Sequence, residues 1–136
     1  MRIYNGATMD LVTLFSALAD RTRLRLLNLL RCGEVCVCYF VEILEETQPK
    51  ISRHLAYLRR AGVVSARRDG KWIHYSLARP EDPKAAAVLD ATLDAIENER
   101  EMKRDRLALS KACCAPKLPP ALEHAPRPVL IEQTPS

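Results

Sequence analysis

Cysteine dominates the chemistry that this chain could perform. Five of its 136 residues are Cys, and three of them follow closely as Cys32, Cys36 and Cys38. Thiolates select soft ions, and three sulfurs without nitrogen ligands suit trivalent arsenic or antimony, with cadmium and lead as further candidates. A structural zinc ion would usually take four ligands, and none of the three histidines has a metal-binding spacing. The alternative is that these cysteines are small, buried core residues.

The spacing of the thiols restricts how they could bind one ion. Residues i and i+2 of a regular helix point about 200° apart. Cys36 and Cys38 could therefore share an ion only if the backbone there is extended or is unwound by binding. A ligand acts through its differential affinity for two conformations, so such a change could alter the helix packed above. Cys113 and Cys114 form a second pair, which is either a ligand pair or an incidental pair on a frayed terminus.

Basic residues are concentrated in one part of the chain. Residues 47–75 contain seven Lys or Arg and one acid, although the whole chain carries a net charge of only +4. Such a basic region is the footprint expected for binding phosphates. Within it, Ile51, Leu55 and Leu58 have the spacing of one helix face, and polar and basic residues occupy the opposite face. This pattern predicts a DNA-recognition helix.

The candidate DNA contacts lie on this helix and on the turn of a following hairpin. They are Gln48, Lys50, Ser52, Arg53, His54 and Tyr57 on the helix, and Arg67, Arg68 and Lys71 around the turn. A recognition helix reads base edges in the major groove, whereas a hairpin wing contacts the backbone or the minor groove. We expect a homodimer on a pseudo-palindromic, double-stranded operator, because protein symmetry then matches operator symmetry.

Turn and cap signals define the elements that must position these residues. A first helix is predicted from the spacing of Leu11, Leu14, Phe15 and Leu18, and a second begins at Asp20 as N-cap. The other predicted elements are a third helix over 38–46, the recognition helix from Pro49 to about Arg60, strands over 63–68 and 72–77, and one long helix over 84–109. Gly33 and Gly62 should end the second and fourth helices. Asp69-Gly70 between two strand-like runs is a strong signal for a hairpin turn.

This order predicts a fold that is mainly α with a small β-hairpin. The fold is a winged helix-turn-helix with an added long C-terminal dimerisation helix. This DNA-binding and dimerisation domain covers residues 1–110. Residues 111–136 form a Cys-containing tail. We expect this tail to be disordered, because residues 115–136 contain six prolines and no apolar periodicity.

Several classes of protein are disfavoured. No apolar run approaches the length of a membrane span, and no secretory signal is visible. We therefore expect a cytoplasmic protein with reduced thiols and no membrane partner. An enzyme of thiol chemistry would need an activated thiolate, but there is no C-x-x-C motif and no glycine-rich anion loop. A redox-sensing regulator and a constitutive DNA-architectural protein remain as alternatives.

Three sequence blocks resemble the ArsR/SmtB metalloregulators. They are Cys36-Val37-Cys38, residues 48–59 (QPKISRHLAYLR) and residues 70–75 (GKWIHY), and residues 18–24 (LADRTRL) also match. The resemblance covers roughly residues 10–110. It implies a homodimeric repressor that binds its own operon's operator and leaves it when arsenite or antimonite, the inducer ligand, binds. A cadmium- or lead-responsive repressor of the same fold is an alternative, and no catalytic cofactor is implied.

The resemblance also exposes a departure in the thiol motif. The family's arsenite motif has the form C-V-C-x-x-C, and its third position is Val41 here. A third sulfur must then come from Cys32, Cys113 or Cys114, within one chain or across the dimer. A two-thiolate site would instead favour methylated trivalent arsenic. The last helix lacks the histidines of the family's zinc-sensing site, which argues against a zinc sensor.

Overall fold

The computed structural model describes residues 10–115 and 118–130, and it is mainly helical with a small antiparallel sheet. The helices are α1 (Leu11–Leu18), α2 (Arg21–Leu30), α3 (Val37–Leu44), α4 (Gln48–Arg60), α5 (Pro83–Ile96) and α6 (Arg100–Cys114), and a 3-10 turn spans Pro120–Leu122. The strands are β1 (Gly33–Cys36), β2 (Val64–Asp69), β3 (Trp72–Leu77) and β4 (Val129–Leu130), in the sheet order β2-β3-β1-β4. The predicted fold class is confirmed. None of the helices in these ranges is long and apolar enough to cross a membrane.

Side-chain caps mark the starts of α2 and α4. The Asp20 carboxylate accepts a hydrogen bond from the backbone N–H of Arg23 at 3.0 Å, which confirms Asp20 as the N-cap of α2. The Thr47 hydroxyl accepts from Lys50 N–H at 3.4 Å, and Pro49 lies in the first turn of α4. These partners satisfy amide groups that the first turn of a helix leaves unpaired. Gly62, with φ of 81°, follows the end of α4 as expected.

The apolar face of α4 lies in the core. Ile51, Leu55 and Leu58 are fully buried in a cluster that includes Leu26 of α2 and Phe40 of α3. Helix α4 packs against both α2 and α3. The predicted inward face of the recognition helix is therefore confirmed, and α3 and α4 form the helix-turn-helix.

Strands β2 and β3 form the predicted hairpin. They pair antiparallel from Val64↔Leu77 to Asp69↔Trp72, which leaves a two-residue turn at Gly70 and Lys71. Gly70 has φ of 61°, a conformation that Gly adopts without a Cβ penalty.

Strand β1 is an element that the sequence does not predict. It leads directly into α3 and pairs antiparallel with β3 through Val35↔Tyr75 and Cys36↔His74. Four residues that begin with a glycine carry too short a pattern to indicate a strand, and only pairing with distant strands makes this segment one.

The predicted long terminal helix is two helices, so this prediction is wrong in its extent. Two arginines hold carbonyl groups at the end of α5: Arg31 donates to Leu93 O at 3.0 Å, and Arg106 donates to Glu97 O at 2.8 Å. Unpaired carbonyls at a helix end need such partners. The chain then turns back, and α6 packs on α2. Periodicity missed the break because both helices carry an apolar stripe.

The expected disordered tail also needs correction, because residues 118–130 are structured. Leu122 and Ala125 are buried in the core, and the 3-10 turn packs against α3. Strand β4 extends the sheet by pairing with β1, Gly33↔Leu130 and Glu34↔Val129. Proline-rich composition suggested disorder, but three-dimensional contacts with the core and with an open strand edge order this segment. We call residues 118–130 the C-terminal strap.

Candidate DNA-binding surface and thiol site

The exposed face of α4 carries part of the predicted DNA-contacting set. The side chains of Gln48, Lys50 and Arg53 are exposed, at or near the N-terminal end of the helix. Lys50 forms an i,i+4 ion pair with Glu46 at 3.2 Å. Because recognition helices read base edges with their N-terminal residues, this is the part of α4 that could enter a major groove.

Three other predicted contacts have side chains that are only partly exposed: Ser52, His54 and Tyr57. Of these, His54 and Tyr57 contact Arg23 of α2. The Arg23 guanidinium lies 4.3 Å from the centroid of the Tyr57 ring, and its Nη1 lies 3.3 Å from His54 Nδ1. Arg23 also donates to Ala17 O at 2.7 Å and to Ser16 O at 2.8 Å. It therefore ties the end of α1 and the start of α2 to the recognition helix.

The charge state of His54 fits this role. Burial lowers the pKa of His54, Asp20 opposes the shift, and Arg23, Lys50 and Arg53 add to it. A neutral imidazole can accept a hydrogen bond from Arg23 at Nδ1, whereas an imidazolium could not. In this arrangement, His54 and Tyr57 orient α4. The sequence reasoning missed Arg23 as an organising residue, although it lies within the matched residues 18–24.

The wing carries the other predicted DNA contacts. Arg67, Arg68 and Lys71 are exposed on the hairpin, and the Lys71 Nζ lies 5.0 Å from the centroid of the Trp72 ring. Arg67 donates twice to the Glu34 carboxylate of β1, at 3.1 and 2.6 Å. This hydrogen bonding lowers the pKa of Glu34. The arginine is thus held by β1, a restraint that the sequence could not show.

Cys36 and Cys38 lie together where β1 passes into α3. Cys36 is fully buried, and its backbone is extended (φ −72°, ψ 144°), while Cys38 lies in the first turn of α3. The angular separation that a regular helix would impose is therefore absent. Burial raises the pKa of the Cys38 thiol. The charge of Cys36 and a hydrogen bond with the Cys36 side chain raise this pKa further. Two sulfurs are thus adjacent.

Cys32 lies apart from this pair. It follows α2 and is buried, and the extended strand β1 separates it from Cys36. At about 3.3 Å per residue, the two Cα atoms are roughly 13 Å apart along the strand. Burial raises the pKa of Cys32, and Arg106 and Arg31 oppose this shift. The charged neighbours of Cys32 therefore belong to α6 and to the end of α2, and not to the start of α3.

Tertiary structure places Cys113 against the segment that pairs with β1, the strand that ends in Cys36. Its thiol donates to Pro128 O at 2.9 Å, and Arg127 donates to Cys113 O at 2.9 Å. Pro128 immediately precedes β4, whose Val129 lies opposite Glu34 of β1. The side chain of Cys114 lies outside the described residues. Across residues 10–115 and 118–130, no three His, Cys, Asp or Glu side chains are arranged to hold a metal ion.

Taken together, an exposed basic helix on an α2–α3–α4 core and a basic β-hairpin define a winged helix-turn-helix DNA-binding protein. Residues 20–66 match the model of the bacterial regulatory protein arsR family. The chain is 45% identical over 109 residues to the arsenic resistance transcriptional regulator ArsR1 of Pseudomonas putida, a match that covers 79% of this chain and 83% of that protein. The chain therefore belongs to the arsR family, and it is a transcriptional regulator rather than an enzyme.

Solved structures agree with this assignment. The AntR antimony-specific transcriptional repressor is 35% identical, with a TM-score of 0.51 over 64% of this chain and 77% of that chain. The homodimeric winged helix-turn-helix domain of Mb0332 from Mycobacterium bovis is 26% identical, with a TM-score of 0.54 over 66% of this chain and 81% of that chain. Both neighbours support the fold of a DNA-binding transcriptional regulator for this chain.

Proposed function

We propose that the protein is a homodimeric repressor that leaves its operator when trivalent arsenic or antimony binds to cysteine thiolates. The observation that carries this proposal is the adjacency of Cys36 and Cys38 at the start of α3. Helix α3 packs directly against the recognition helix α4. An ion that binds both sulfurs therefore acts at the start of α3, the helix that supports the recognition helix.

The ligand class follows from the donors. Two or three thiolates without nitrogen suit a soft ion, and a trivalent metalloid needs no fourth ligand. The names of the P. putida relative and of AntR, which refer to arsenic and antimony, support the same class. Release requires that the ligand-bound conformation binds DNA less well than the free one.

The DNA contacts in this proposal lie on α4 and on the wing. Gln48, Lys50, Ser52 and Arg53 read base edges or phosphates from α4, and Arg67, Arg68 and Lys71 contact the backbone from the wing. His54 and Tyr57 act mainly by orienting α4 through Arg23.

A homodimer is supported by the apolar face of α1. Leu11, Val12 and Phe15 are exposed, the last two by 71% and 54%. Adjacent apolar side chains on one helix mark an interaction surface. A second copy of this chain matches the homodimeric architecture of the M. bovis neighbour.

Operator release provides the test. Fluorescence anisotropy of a labelled fragment of the protein's own promoter is followed against arsenite, antimonite, cadmium, lead and zinc under reducing conditions. We expect the trivalent metalloids to release DNA, and Cys36→Ser and Cys38→Ser to bind DNA normally but to lose this response. Cys32→Ser is the matched control and should respond like the wild type. Release from Cys36→Ser at wild-type arsenite concentrations would contradict the site.

A further inference from the structure

We propose that Cys113 is the third thiolate of the site, and that its capture by a metalloid detaches the C-terminal strap from β1. This inference rests on the proposed function and deepens it. The motif position that a third cysteine would occupy holds Val41, so the sulfurs of Cys36 and Cys38 leave one valence of arsenite or antimonite unfilled. Cys113 approaches them from α6, which packs against α3.

Strand pairing brings Cys113 to the part of β1 that leads to Cys36. The Cys113 thiol donates to Pro128 O, and the next residue, Val129, lies opposite Glu34, two residues before Cys36. Tyr39 follows Cys38 in α3 and is fully buried, and within the described part of the chain its hydroxyl has no hydrogen-bond partner. This O–H is a donor that a sulfur of the occupied site could accept from.

The strap restrains Cys113 in the ligand-free protein. The thiol donates to Pro128 O at 2.9 Å, and Arg127 of the same segment donates to Cys113 O. To become a ligand, the thiol must lose its proton and therefore this hydrogen bond. Pro128 precedes the two residues of β4 that pair with β1. A strand of two residues has few hydrogen bonds, so the loss of the Cys113 contact removes a large part of what holds it.

The binding step balances without a redox reagent. Arsenite binds as As(OH)₃, three As–O bonds are replaced by three As–S bonds, and the three thiol protons leave with the hydroxyl groups as three water molecules. A monomethylated trivalent arsenical, CH₃As(OH)₂, forms two As–S bonds and releases two waters. It therefore needs only Cys36 and Cys38, and it does not require Cys113.

This difference gives the test of the third ligand. Operator release by arsenite and by the methylated arsenical is measured for the full-length wild type, Cys113→Ser and Cys114→Ser. The serine hydroxyl can still donate to Pro128 O, so Cys113→Ser keeps the strap contact and loses the soft donor. We expect Cys113→Ser to need at least about tenfold more arsenite, with an unchanged response to the methylated compound, and Cys114→Ser to behave like the wild type.

Each other outcome is decisive. An unchanged arsenite response of Cys113→Ser, or a loss that appears only in Cys114→Ser, overturns the assignment of Cys113. If neither arsenical releases the wild type from DNA, the proposed function fails first, and this result is distinct because it does not depend on the variant.

Amide hydrogen exchange tests the strap. We expect arsenite to reduce the protection of residues 33–34 and 129–130 in the wild type but not in Cys113→Ser. Val129→Pro should weaken β4 pairing without touching the core, because the Val129 side chain is 83% exposed. It should respond to several-fold less arsenite than Val129→Ala. Unchanged protection in arsenite-saturated wild type, or equal midpoints for the two Val129 variants, would overturn the coupling.

Discussion

At the scale of single residues, exposure separates the polar side chains of α4 into two roles. Arg53 is exposed and points away from the core, whereas His54 and Tyr57 contact Arg23. The composition of the helix does not distinguish these residues, because all three are polar and lie within one turn or so of each other. Burial in the folded protein makes the distinction, and it suggests which substitutions affect DNA binding alone.

Arg53→Ala should reduce operator affinity while the dimer remains intact. The loss of one base or phosphate contact is worth about 1–3 kcal/mol, or roughly tenfold to a hundredfold in affinity. Anisotropy titration measures the affinity, and sedimentation velocity checks the dimer. Arg104→Ala, which removes an exposed arginine of α6, is the charge-matched control. Equal affinities for the two variants would exclude Arg53 from the DNA-binding surface.

At the scale of elements, β1 links the thiol site to the wing. It carries Cys36 at its end, pairs Cys36 with His74 of β3, and holds Arg67 of β2 through Glu34. His74 is buried, and its Nε2 lies 3.6 Å from Asp69 at the tip of the hairpin. A displacement of β1 is therefore transmitted to a residue that we assign to DNA binding. This connection uses the backbone pairing of β1 with β3 and the side-chain contact between Glu34 and Arg67.

Glu34→Gln should strengthen operator binding several-fold. The substitution removes a carboxylate that competes with DNA phosphates for Arg67, and it steepens the dependence of log K on log[salt] by about one unit, the contribution of one additional phosphate contact. Titrations at three salt concentrations give both quantities. The control is Asp90→Asn, which removes the acid of another exposed ion pair. Asp90 pairs with Arg79, on the loop before α5. If both variants change affinity and slope equally, the effect is one of net charge alone.

At the scale of the whole molecule, polar contacts between distant segments hold α6 on α2. Arg25 donates to both oxygens of the buried Asp105 carboxylate, at 2.7 and 3.1 Å, and Asn28 donates to Met102 O at 3.0 Å. Buried polar groups must be paired in this way, because an unpaired one costs about 1–3 kcal/mol. The contacts fix the direction of α6, and through it the position of Cys113 near α3.

Phe15→Glu should convert the dimer into a monomer. A charge cannot be buried without a partner in an apolar interface, so the cost falls on association rather than on folding. Sedimentation at micromolar concentration reports the oligomeric state, and operator affinity should fall with it because two half-sites are no longer read together. Val129→Glu places the same charge at an exposed apolar position of another element. A dimeric Phe15→Glu protein would show that α1 is not the interface.

Local signals in the sequence determined much of this protein. The Asp20 cap, the spacing of Ile51, Leu55 and Leu58, and the Asp69-Gly70 turn act over a few residues, so the helix-turn-helix and the wing could be predicted. The thiols and their preference for soft ions followed from residue type. What tertiary structure alone decided are contacts between segments far apart in the chain. They are the pairing of β1 with β3 and β4, the break before α6, the restraint of Arg67 by Glu34, and the contact of Cys113 with Pro128. The strand partners, buried arginines and core contacts that create these features leave no periodic pattern in the segments they order.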